Sequence, residues 1–143
     1  MANYYYFVAS LPMLHFGMRP PFSSEAFLKM CGQFLSEEDF KRISGEIHNK
    51  SAEEWMDFDT RLRNELVKVR AGRRHIDPSR YLRHEGCADP AISHMALTAQ
   101  RNPSILDAEH SLDQERWNFL GGLETGHYFD ADFLVIYNHK LKI

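Results

Sequence analysis

The chain has 143 residues, 43% hydrophobic and 13% aromatic, which suits one folded domain with a core and excludes a disordered segment. Its formal net charge of −3 gives it no overall attraction for polyanions. No run approaches the roughly 20 apolar residues of a membrane-spanning helix, and Met1-Ala2-Asn3-Tyr4 lacks the basic start of a secretory signal. Cys31 and Cys87 lack metal-ligand spacing and read as reduced thiols of a cytoplasmic protein, peripheral to a membrane only through a partner.

Residues 4–14, opening with Tyr4, Tyr5 and Tyr6, are aromatic and β-branched without a helical period, which predicts a short extended segment or buried strand. The adjacent Pro20 and Pro21 make a loop of the next stretch. Helical signals dominate from there. Ser23 or Ser24 caps a segment running to Cys31 and ended by Gly32, and Ser36 opens another carrying Phe40, Ile43 and Ile47. Ser51 and Glu54 have the form of a capping box. The helix they open, about residues 52–72, carries Trp55, Phe58, Leu62, Leu66 and Val69 on one stripe. Asp77-Pro78, Asp89-Pro90 and Asn102-Pro103 each place a capping side chain before proline, the N1 signal. They predict a short helix near Tyr81, one around residues 92–99, and a long one from Pro103 toward Leu123. Asp130 caps a last helix with Phe133, Leu134, Tyr137 and Leu141 on one face, and no breaker follows before Ile143. That face must pack back on the same domain or on a partner. The fold class is therefore mostly α, a bundle-like single helical domain over residues 1–143 with a short extended N-terminal segment.

Charge is segregated. Residues 61–84 hold eight lysines and arginines against Glu65 and Asp77, and residues 104–132 hold seven acids against Arg116. At 100° per residue, Arg63, Arg70 and Arg74 flank one side of the apolar stripe, while Arg61 and Lys68 flank the other. Two flanking rows suit a helix lying between other helices, with charges pairing at the seam, better than a phosphate-tracking face. Nucleic acid is accordingly not an expected partner. On the long helix after Pro103, Ile105, Leu112, Phe119 and Leu123 define an apolar face from which Glu109 and Arg116 also project. A buried unpaired charge costs several kcal/mol. Glu109 is thus predicted to meet an arginine of the basic segment, and Arg116 a carboxylate of another helix.

Two Glu-x-x-His-like sequences, Asp107…His110 and Glu124…His127, invite a di-metal reading. Gly126 spoils the helical geometry of the second, and both lie on one predicted helix, so neither a metal nor a cofactor is expected. Phosphate loops, dinucleotide fingerprints and nucleophile elbows are missing, and no catalytic residue is assigned. The competing readings are a small helical enzyme or metal-binding protein using Glu109, Glu124 and His127, and a self-associating domain whose last helix packs in a homo-oligomer.

The Tyr4–Pro12 opening, the entry from Pro20 to Leu28, and the block from Arg116 through Leu123-Glu124-Thr125-Gly126-His127-Tyr128-Phe129-Asp130 occur in a shared order. In these features the chain resembles the bacterial family catalogued as domain of unknown function 2764, over essentially its whole length, as a shortened member or the N-terminal part of a longer family fold. The resemblance implies a subunit encoded with bacterial V/A-type rotary ATPases. Its role would be that of an accessory or C-like subunit joining the central stalk to the membrane ring, with no catalytic residues to carry over. The contact candidates are Arg63, Arg70, Arg74, Glu109, Arg116 and Tyr128, and the implied partners are ATPase stalk subunits, with no direct membrane insertion.

Overall fold

The computed structural model describes residues 3–83 and 89–143, and among these there are seven α-helices, one 3-10 turn and no strand. The mostly α class read from the sequence is the observed one. Cys87 lies outside the described residues. Among the described residues no helix is long and apolar enough to cross a membrane. Two compact units form, one from Met1–Glu54 with Trp117–Ile143 and the other from Trp55–Arg116.

In the first unit the expected extended opening is instead a short helix, α1 (Tyr5–Ser10). The aromatic run favours a strand only where a neighbouring strand can pair with it. Here the Tyr4 amide donates to the Phe129 carbonyl at 2.7 Å and the Val8 amide closes a turn on the Tyr4 carbonyl. Phe7 is thereby delivered to the core. α2 (Ser24–Phe34) is capped by Ser23, as the sequence implies, but runs through Gly32 to Phe34. Gly32 costs that helix something relative to alanine, and Phe40 packs on the open side of its backbone. α3 (Glu37–Ser44) has Ser36 as its cap and ends at Gly45, whose φ of +91° is the left-handed stop that glycine supplies.

α7 (Ala131–Leu141) is the pillar of this unit. Asp130 caps it through the Phe133 amide at 3.0 Å, as predicted. Leu134, Val135, Ile136, Tyr137, Asn138 and Leu141 are all buried, so the helix is covered nearly all round and not along one face. α2 and α3 pack on it, giving a core of Phe7, Phe27, Cys31, Ile43, Leu134, Val135, Tyr137 and Leu141. The two polar groups inside are both satisfied. Asn138 accepts from Ser24 Oγ at 2.6 Å, and Tyr137 donates to the Pro12 carbonyl at 2.6 Å. Burial pushes the Tyr137 hydroxyl pKa up to about 12.

The second unit is built on α4 (Lys50–Arg74), which starts in the first unit. Trp55, Phe58, Leu62 and Leu66 of the predicted stripe are buried, with Ile92, Ala96 and Ala99 of α5 (Pro90–Arg101) and Leu112 of α6 (Ile105–Leu123). The cap of α4 is not the predicted Ser51 box. Asn49 Oδ1 accepts from the Ala52 amide at 3.0 Å, and the buried Ser51 hydroxyl points instead to Asp132. Asp77 caps a single 3-10 turn (Pro78–Arg80) in place of a short helix, and Asp89 caps α5 with Pro90 at its first position. α6 begins two residues after the predicted proline start. Asn102 accepts from the Ser104 amide, and Ser104 Oγ in turn accepts from the Asp107 amide. The apolar face of α6 is also turned from the predicted one, since Ile105 is 81% exposed and Leu120, not Phe119, is fully buried.

Candidate functional site

The first unit presents an aromatic surface and, under it, a polar knot. α6 ends at Leu123, and Gly126, at φ +86°, reverses the chain before α7. That turn carries Tyr128, 65% exposed, and Phe129, 39% exposed. The Tyr5 ring lies 4.8 Å from the Phe129 ring, and Tyr6, one residue on, is 94% exposed. Two anchors fix this patch. The Tyr4 amide holds the Phe129 carbonyl, and the Tyr4 hydroxyl donates to Asp39 at the start of α3. Burial, followed by the hydrogen bond to the Asp39 carboxylate, raises the Tyr4 pKa.

His127 turns toward α7. Its Nδ1 is 2.7 Å from Asp130 Oδ2 and 3.6 Å from Asp132 Oδ2, and the three ligand-type atoms all lie within 4.8 Å of one another. Each carboxylate has given its other oxygen to structure. Asp130 Oδ1 caps α7, while Asp132 Oδ1 accepts from Asn49 Nδ2 at 2.8 Å and Ser51 Oγ at 3.2 Å. The knot therefore ties the starts of α4 and α7 to the turn. The hydrogen bond that His127 donates to Asp130 raises its pKa against a smaller opposing effect of burial, and the charges of Asp130, Asp132 and Glu54 add to the rise. An imidazolium between two carboxylates accounts for this arrangement as an ion pair, the form the raised pKa favours. The sequence offered His127-x-x-Asp130-x-Asp132 as its local signal, and the Glu-x-x-His reading passed over it.

The His127 amide donates to the Glu124 carbonyl at 2.8 Å, but the Glu124 carboxylate is engaged elsewhere. It accepts from Lys140 at 2.7 Å, and the same ammonium stands 5.0 Å from the centre of the Trp117 ring. Glu109 belongs to the second unit and pairs there with Arg70 at 3.2 Å. The side chains of Glu109, Glu124 and His127 are thus engaged in three separate pairings, with Arg70, Lys140 and Asp130.

Both predicted ion pairs of α6 form. Arg116 Nε is 3.1 Å from Asp59 of α4, and its Nη1 donates to Asp113 at 2.8 Å. Its side chain is 21% exposed, whereas Arg70 and Glu109 are each more than half exposed, so only Arg116 is an ion of the interior. Arg63 is exposed on α4. Arg70 and Arg74 line one cleft of about 450 Å³ with Arg73, the ends of α5 and the start of α6. A second polar cleft of about 580 Å³ lies in the first unit, lined by α3 and the starts of α4 and α7. Its Arg42 is matched by Glu38 at 2.6 Å and Asp39 at 3.0 Å. No protein-family model matches the chain, and neither the curated proteins nor the solved structures include a significant match to it.

Proposed function

We propose that this chain is a non-catalytic, protein-binding subunit. On the family resemblance of its Tyr4–Pro12 and Arg116–Asp130 blocks, we take its partners to be stalk subunits of a bacterial V/A-type rotary ATPase. The observation that carries the protein-binding reading is the aromatic patch of Tyr5, Tyr6, Tyr128 and Phe129. Contiguous exposed aromatic surface is rare on isolated proteins, and tyrosine and phenylalanine are enriched at the centres of interfaces. The Tyr4 amide and the capped start of α7 hold the backbone that carries the patch, and the Tyr5 and Phe129 rings pack on each other, so less of the patch has to be ordered on binding. A C-like connecting subunit works mechanically. It needs rigid surfaces that hold stalk to rotor and no bond chemistry.

The test is binding of the tagged, purified chain to purified stalk subunits, measured by biolayer interferometry. The expected result is a saturable complex, weakened roughly tenfold or more in a Tyr6→Ala/Tyr128→Ala double variant whose helical circular dichroism is unchanged. Failure of every stalk subunit to bind would remove the ATPase assignment. Binding indifferent to the double variant would remove the patch as its basis.

A further inference from the structure

One cleft of the second unit gathers charge that its own lining does not balance. The last two turns of α4 place Arg70, Arg73 and Arg74 at helical spacing on one side, and all three line the cleft against α5 and α6. Glu109 is the one carboxylate of the cleft lining, and Arg70 already takes it. Arg73 and Arg74 have no carboxylate partner among the described residues. The comparable cleft of the first unit is different in kind, because there Glu38 and Asp39 match Arg42.

Two further features bear on what an occupant would be. The start of the 19-residue α6 stands at the cleft through Ile105 with the positive end of its dipole, while α4 and α5 bring their C-terminal, negative ends, so the positive charge of the cleft is that of the arginine side chains. Asn102, also in the lining, has given its carbonyl oxygen to the Ser104 amide, which leaves the donor half of the amide for a ligand. Among the charged side chains of the lining, three arginines thus face one carboxylate. Ile105 in the lining and Leu106, its neighbour in the chain, are 81% and 79% exposed, an aliphatic pair of which Ile105 adjoins the arginine cluster. A free inorganic anion would leave that pair in water. A flat anionic membrane would meet a concave basic site, and two aliphatic side chains are far short of an interfacial helix face. An acidic protein segment uses both halves. Its carboxylates suit the planar, bidentate geometry of guanidinium groups, and its own aliphatic side chains cover Ile105 and Leu106.

We propose that this cleft, bounded by Arg70, Arg73, Arg74, Gln100, Asn102 and Ile105, is a docking site for an acidic, aliphatic-bearing segment of a partner protein. The site lies in the second unit and does not depend on the aromatic patch of the first.

The test uses the full chain and a fluorescein-labelled synthetic helix with glutamates at i, i+3 and i+4 and leucines beside them, followed by anisotropy. The control peptide has glutamine for each glutamate. The expected result is saturable binding of the acidic peptide alone, weakened at least about tenfold in R73E/R74E and also in I105S/L106S. All the substituted side chains are exposed, and unchanged circular dichroism establishes that both variants fold. No binding, equal binding of the glutamine peptide, or binding that R73E/R74E leaves unchanged would each overturn the proposal. Titrations with inorganic pyrophosphate and with phosphatidylserine vesicles form separate arms. Binding confined to either of these would overturn it in favour of a phosphate site or a lipid surface. Self-association of the wild-type chain that R73E/R74E abolishes, without peptide binding, would overturn it in favour of a second copy.

Discussion

Asp130 uses its two carboxylate oxygens for two separable purposes, and substitution can tell them apart. Oδ1 caps α7 through the Phe133 amide, and Oδ2 takes His127 Nδ1 at 2.7 Å. Loss of an N-cap costs about 1 kcal/mol, within a range of roughly 0.5–2. Because α7 is the buried pillar of the first unit, that cost is felt in unfolding of the whole unit and not only in fraying. The His127 side chain is 37% exposed, so solvent screening holds its ion pair to about 0.5–1 kcal/mol. Folding raises the His127 pKa above the ordinary 6.5, so the folded chain holds the proton more tightly than the unfolded chain. The contribution is complete below the ordinary value and disappears as pH rises through the raised one. Asp130→Ala is therefore expected to cost about 1–3 kcal/mol at about pH 5.5 and about 0.5–2 kcal/mol at about pH 9. Asp130→Asn keeps a good cap, so it is expected to lose only the acid-side part and to approach wild type at the higher pH. Urea denaturation at the two pH values measures all of this. An asparagine variant as unstable as the alanine variant at the higher pH would refute the capping argument. An alanine variant with the same loss at both pH values would refute the His127 argument.

Replacing Arg116 by methionine leaves Asp59 and Asp113 without their shared cation and is expected to cost about 1–2 kcal/mol. A double-mutant cycle with Asp59→Asn should return a coupling of about 0.5–1.5 kcal/mol, and zero coupling would show that the contact is idle. Leu120→Ala empties a fully buried site and is expected to cost about 3–4 kcal/mol. Ile105→Ser, on the same helix but exposed, should change stability by no more than about 0.5 kcal/mol. Equal effects in thermal melts would show that the exposed face of α6 is wrongly placed. The Cys31 thiol is fully buried, and burial pushes its pKa up to about 12. In a Cys87→Ser background it should react with iodoacetamide only as fast as the protein unfolds, and prompt labelling of the native chain would refute that burial.

What the sequence discloses here depends on how local the deciding interaction is. Asp130 precedes an apolar run and caps the helix that follows, with every atom involved lying within four residues. The stripe from Trp55 to Leu66 repeats at helical spacing and is buried as the spacing implies. Glu109 and Arg116 stood on a predicted apolar face, which required a partner for each, and both partners are present. Errors arise where a residue has a long-range use that competes with its local one. Ser51 looks like a cap, but Asp132, 81 positions away, takes its hydroxyl, and Asn49 does the capping. The aromatic opening has strand propensity but no strand beside it, and the Phe129 carbonyl holds it as a helix entry. The His127 knot was visible only as a spacing, because the meeting of Asp132 with Asn49 and Ser51 depends on the packing of α7 beside the start of α4.

The segregation of charge along the chain has a similar resolution. Flanking basic rows on α4 suggested a seam paired throughout with acidic neighbours. The pairs that form are mostly internal to the helix, since Arg61 lies 3.1 Å from Asp57 and Lys68 lies 3.1 Å from Glu65. Such i, i+3 and i, i+4 pairs steady a helix but say nothing about its neighbours. Among the described residues, Arg70 alone of the basic run reaches an acid of α6. Apart from Arg63, exposed in the middle of α4, the arginines left over stand at the C-terminal end of the helix, where its dipole favours cations, so local helix energetics tolerate Arg73 and Arg74 whether or not anything binds them. Tolerance explains why these arginines do no harm there. It does not explain their convergence on a cleft whose one carboxylate is already taken by Arg70, beside the exposed Ile105. That convergence is a property of three helix ends together, and it distinguishes a recognition surface from a solvated helix terminus.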